Sequence, residues 1–133
     1  MRRKEAREKA MNLLFQMDVH NEYSLDFINR NLNDELDEKE KQTDYIMALA
    51  SLFVDNKDRI DGIIEENSKE WKLSRIAKVD LAILRVAVTE MNYFPDIPHS
   101  VSINEAVELA KTFSTQESGS FVNGVLGNIA KVM

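Results

Sequence analysis

FVNGVLGNI, residues 121–129, admits two incompatible readings. Asn123-Gly124 between short apolar pairs is the dipeptide that most strongly marks a tight β-hairpin turn. Yet Val122, Leu126, Ile129 and Met133 recur at intervals of four, three and four, which is one stripe of an amphipathic helix. Only two residues flank the dipeptide on each side as strand, too few for a hairpin in a chain with no sustained period-two alternation. The spacing therefore predicts a helix, although Gly124 and Gly127 each cost roughly 1 kcal/mol relative to alanine there. On a helical projection Ser120, Gly124, Gly127 and Lys131 lie opposite the apolar stripe. A face that bare lets another backbone approach closely. Phe121 sits at the edge of the stripe. Fraying, or another helix of the same chain filling the small face, would account for the glycines equally well.

Working outward, apolar residues keep recurring at three and four, and the four glycines and two prolines are few. The expectation is an all-α chain of one domain. A first helix spans about residues 4–20, with Ala6, Ala10, Leu13, Leu14 and Met17 as its core face. A shorter helix is capped by Ser24 and carries Leu25, Phe27, Ile28 and Leu32. A loop falls within residues 33–44, where Asp37 and Glu40 have the spacing of a capping box. The long helix that follows carries Ile46 to Ile64, with a weak point at DNKD, residues 55–58. Residues 75–92 are apolar over so much of their girth that this helix should be central. FPDIP, residues 94–98, ends it. Ser102 with Glu105 then reads as a capping box and Val101 with Ala106 as a hydrophobic staple. A last helix is expected from Ser118 or Ser120.

The chain has 133 residues, 44% hydrophobic and 30% charged, the composition of an ordinary soluble globular protein. The absence of cysteine excludes a disulfide scaffold, a thiolate zinc site and a cysteine nucleophile. No apolar run approaches the roughly 20 residues that span a bilayer, and the N-terminus lacks the uncharged core of a signal peptide. A cytoplasmic protein without membrane contact is the default. No metal or cofactor is expected either. His20 and His99 have no partner at ligand spacing, and no HExxH, P-loop, GxGxxG or GxSxG motif occurs. Carboxylates are plentiful but fall on solvated helical faces, so no enzyme is expected.

The net charge of −6 is unevenly spread. Residues 1–9 hold five basic and two acidic side chains, a net of +3, while the remainder holds 12 basic and 21 acidic, a net of −9. Such asymmetry suits a polyanion, and equally a merely solubilising terminus. Lys4, Met11 and Phe15 project opposite the core stripe of the first helix, with Arg7 nearby. Cations can neutralise phosphate and an exposed aromatic can stack on a splayed base. If this helix lies between two layers, Phe15 is core instead. Periodicity alone does not choose between an RNA-binding module and a protein-only helical adaptor.

Four motifs carry a resemblance that runs along essentially the whole chain. Ala6-Arg7-Glu8-Lys9-Ala10, LRVAVTE (84–90), IPHSVSINEAVELAKTF (97–113) and SGSFVNGVLGNI (118–129) together resemble the bacterial transcription antitermination factor NusB family. INEAVELAK followed by FVNGVL is the specific part. The resemblance implies about seven helices in two helical subdomains. It also implies binding of single-stranded boxA RNA from ribosomal RNA leaders, and a partnership with the small-subunit ribosomal protein that acts as NusE. The assembly helps RNA polymerase pass terminators, and the family admits both monomers and homodimers. By the same resemblance Arg2, Arg3, Lys4 and Arg7 match a basic RNA-contacting start, and Phe15 and Phe121 match RNA-facing aromatics. Asp80 matches an acidic position used toward the ribosomal protein. Glu117, four residues before Phe121, would then stand near phosphate and repel it. Phe15 occupies a place where tyrosine is common, Thr89 replaces a usual aromatic and Gly127 an often acidic residue. The domain also occurs fused to RNA methyltransferases, but no α/β cofactor-binding domain follows within these residues.

Overall fold

The computed structural model describes residues 1–32, 42–69 and 72–133. Among these are seven α-helices: α1 (Arg3–His20), α2 (Leu25–Leu32), α3 (Thr43–Asp55), α4 (Lys57–Asn67), α5 (Lys78–Tyr93), α6 (His99–Phe113) and α7 (Gln116–Val132). A 3-10 turn, Leu73–Arg75, precedes α5. No described residue is in a strand. The proposed capping box of Asp37 and Glu40 lies outside the described residues.

Local chemistry sets the boundaries. Helix α1 ends at Asn21, which takes the left-handed conformation (φ 50°, ψ 42°) and closes the helix with backbone bonds from Asn21 to Asp18 and from Glu22 to Met17. This is the Schellman arrangement, and asparagine tolerates it better than most residues. The Ser24 hydroxyl accepts the Phe27 amide at 3.1 Å and caps α2. The long apolar stretch breaks at Asn56, inside DNKD, to give α3 and α4. Thr115 caps α7 by accepting the Ser118 amide at 3.0 Å, so that helix starts two to four residues earlier than the serines suggest.

Helix α5 is the centre. Every residue from Asp80 to Met91 is buried. Helices α1, α2 and α3 pack on one another and α1 and α3 pack on α5, while α4, α6 and α7 also gather on α5, with α6 and α7 in the most extensive contact. In α7, Val122, Leu126 and Ile129 are essentially inaccessible. Burying each contributes roughly 1.5–3 kcal/mol, more than the two glycines cost. FVNGVLGNI is helix because its stripe has a core to enter.

Two expectations are corrected. Ser102 is not a cap: α6 begins at His99 behind Pro98, and the buried Ser102 hydroxyl reaches a different helix. On α1, Met11 is buried and Phe15 half-buried, because α5 covers the side expected to face outward. Arg7 is buried there too. Leu25, one of the apolar residues α2 carries, stands 53% exposed at its start.

Candidate nucleic-acid interface

The basic start of α1 divides into free and committed cations. Arg2 and Lys4 are exposed. Arg3 is half-buried: its Nε donates to Gln42 Oε1 at 2.6 Å, and its guanidinium carbon stands 4.2 Å from the centre of the Tyr45 ring. Arg7 is spent inside the protein. Its Nε and Nη2 donate to Glu90 Oε2 (2.7 Å) and Oε1 (3.1 Å). The Tyr45 hydroxyl also donates to Glu90 Oε2, and Ser102 Oγ donates to Oε1 at 2.8 Å. One fully buried carboxylate on α5 thus ties α1, α3 and α6 together. Burial alone would lower the Arg7 pKa, but the hydrogen bond and charge of Glu90 outweigh it and the pKa is raised. Burial, then Glu90, pushes the Tyr45 phenol well up, so it remains a neutral donor. The expectation that Arg7 contacts phosphate meets a side chain already paired and out of solvent.

Phe15 and Phe121 stand in different surroundings. Phe15 lines an apolar groove with Met11, Val79, Ala82 and Phe113, and no cation lines it. Phe121 is the wall between two depressions. One is lined by Lys69, Ser120, Gly124 and Asn128, the other by Arg75, Asp80, Thr115 and Glu117. Gly124 and Gly127 face open space, with nothing within 4 Å of where a β-carbon would stand. The bare face of α7 is therefore a real surface, unfilled by any described helix. Asp80 and Glu117 share the second depression with Phe121, so residues expected to serve RNA and protein partner converge there. Asp80 is 6% exposed; its Oδ2 accepts from Ser118 Oγ at 3.0 Å, and its Oδ1 has no partner among the described residues.

This architecture and its sequence both have counterparts. The family model described as the NusB family matches residues 4–131. The chain belongs to the NusB family. It is 51% identical to the transcription antitermination protein NusB of Bacillus mycoides (strain KBAB4), over 97% of each chain. It is 49% identical to that of Acetivibrio thermocellus (strain ATCC 27405), over 99% of this chain and 90% of the relative. Among solved structures, NusB of T. maritima superposes with a TM-score of 0.88 at 34% identity, covering 98% of this chain and 92% of that one. A crystal structure of antitermination factors NusB and NusE in complex with dsRNA superposes with a TM-score of 0.87 at 26% identity, covering 98% and 97%.

Within this NusB fold, sequence reasoning missed Lys69 and Arg75, the cations that edge the Phe121 depressions. A signal was present. Lys69, Lys72, Arg75 and Lys78 recur every third residue in an otherwise acidic remainder. Lys78 is occupied by Asp18 at 2.8 Å, whereas Arg75 is exposed.

Proposed function

We propose that this chain is a transcription antitermination factor of the cytoplasm, without catalytic activity, that binds single-stranded boxA RNA of ribosomal operon leaders jointly with the ribosomal protein NusE. In that assembly it would help RNA polymerase read through terminators. The observation that carries the reading is Phe121, a half-buried aromatic between depressions edged by Lys69 and Arg75, in a fold shared with a protein solved together with NusE and RNA. An aromatic face with cations beside it suits single-stranded nucleic acid, because every base can stack and every phosphate needs neutralising. Arg2, Arg3 and Lys4 supply further phosphate contacts in this reading, and Glu117 sets a local repulsion. Asp80 meets a cation of the protein partner. Phe15, in its apolar groove beside the 43%-exposed Phe113, fits an apolar side chain of that partner better than a base. The test is a fluorescence titration of boxA-like and scrambled single-stranded RNA, with and without the ribosomal partner. Preference for the boxA-like strand, strengthened by the partner, is expected. Partner binding with no RNA affinity in either state would leave a protein-only adaptor.

A further inference from the structure

We propose that Gln42 and Tyr45 are positioning residues that hold the Arg3 guanidinium as a preformed fork for RNA phosphate; the inference rests on the RNA-binding reading above. Arginine carries five N–H donors in one plane, and fixing that plane is what turns a mobile cation into a bidentate phosphate ligand. Here the plane is held at two points. The Nε–H is taken by Gln42 Oε1 at 2.6 Å, and the guanidinium carbon lies 4.2 Å from the Tyr45 ring centre. Among the described residues neither terminal nitrogen of Arg3 is hydrogen-bonded, so the fork's outer edge is left for a ligand. The platform is itself anchored. Tyr45 is 4% exposed, its hydroxyl donates to Glu90, and its ring meets Phe94 edge-on at 5.5 Å. Glu90 in turn holds Arg7 on α1, one turn beyond Arg3. Arg7 thereby serves the interface through Glu90 and Tyr45, and Arg3 is the cation presented to solvent.

The experiment is a double-mutant cycle on the full chain with boxA-like single-stranded RNA and the ribosomal partner, each affinity measured across a salt series. Arg3→Ala is expected to weaken binding about tenfold, the worth of hydrogen bonds to a charged group, and to lower the log–log salt slope by about 0.7. Gln42→Leu leaves every charge in place. It is expected to weaken binding about two- to tenfold, the cost of immobilising a long side chain on binding, with the salt slope unchanged. In the Arg3→Ala background Gln42→Leu should do nothing further. Tyr45→Leu, which removes the ring beneath Arg3, should lose affinity as Gln42→Leu does. Thermal melting of each variant separates a folding loss from a positioning loss. An equal penalty from Gln42→Leu with and without Arg3, or no penalty at all, overturns the proposal. RNA binding indifferent to Arg3→Ala overturns it while leaving the RNA reading intact, and no RNA binding by the wild-type pair overturns both.

Discussion

Arg7 and Phe121 show how one side chain's surroundings decide its use. Removing Arg7 strands Glu90, a carboxylate with no exposure, without its cation. Breaking a buried pair from one side costs about 3–5 kcal/mol, so Arg7→Ala should lower the unfolding free energy by that order in a denaturant titration. Its RNA salt slope should match wild type in whatever fraction folds; a stable variant with a flattened slope would return Arg7 to the phosphate contacts. The proposed stacking role of Phe121 predicts the opposite pattern. Phe121→Leu should cost about 1–3 kcal/mol of RNA affinity, the worth of one stacked base, with a small change in melting. Phe15→Leu should instead show its loss in stability and in partner affinity. Beside Phe121, Glu117 is exposed in the first turn of α7. Replacing it by glutamine should tighten RNA binding by about 0.5–1 kcal/mol, a screened like-charge effect, and weaker binding by that variant would make Glu117 a ligand.

At the scale of the helix, α7 concentrates the tension between propensity and surface. Nothing in the fold's own packing requires Gly124: its φ is not positive, and a methyl group there would meet no atom within 4 Å beyond the adjoining backbone of its own helix. Gly124→Ala should therefore stabilise the protein by about 0.5–1 kcal/mol. If the bare face admits a partner or RNA closely, the same variant loses affinity while gaining stability, and calorimetry with titration on one sample reads both. A gain in stability with unchanged binding would leave the glycine without a docking role. The helices were legible because their signals are local: the α7 stripe, the weak point at DNKD, the Ser24 cap and the FPDIP stop are each written within a few residues. The start of α6 was not. Ser102 and Glu105 have capping-box spacing, but Pro98 starts the helix and the Ser102 hydroxyl goes to Glu90, twelve residues back on another element. The pairing of Arg7 was hidden for the same reason. Its partner lies 83 residues away, a separation no helical projection contains.

Over the whole molecule, charge is arranged in two ways, one inside the fold and one along the sequence. Inside, Arg85 donates both ends of its fork to Asp61 at 2.9 Å, and Asp18 joins Tyr23, Arg85 and Lys78. Burial alone would raise the Asp18 pKa, but the hydrogen bonds from Lys78 and Tyr23 and the nearby positive charges hold it below its ordinary value of 3.8. The unfolded chain then takes up this proton first on acidification. The stabilisation is complete above the ordinary aspartate range and is lost as pH falls through the lowered value. Asp18→Asn should flatten that acid limb of stability, measured as denaturant midpoint against pH. Along the sequence the first nine residues carry a net of +3, of which Arg7 is spent inside, and the rest carry −9. RNA is attracted to one end of the chain and repelled over much of the remainder, so this protein alone should bind it weakly. In the proposed assembly a basic partner would change that balance, and Asp80 is where its docking would have the most to gain. One of its oxygens is buried with no hydrogen-bond partner among the described residues, an arrangement that costs free energy until a donor arrives. Asp80→Asn should weaken partner affinity by up to a few kcal/mol if the new pair is desolvated. It should leave the lone protein's RNA affinity nearly unchanged and remove the partner's enhancement at limiting partner concentration. Labelled RNA titrated with each protein alone and then with both, for wild type and Asp80→Asn, measures each step. Equal RNA affinity with and without the partner would refute this division of labour, and unaltered partner affinity in the variant would place the docking cation elsewhere.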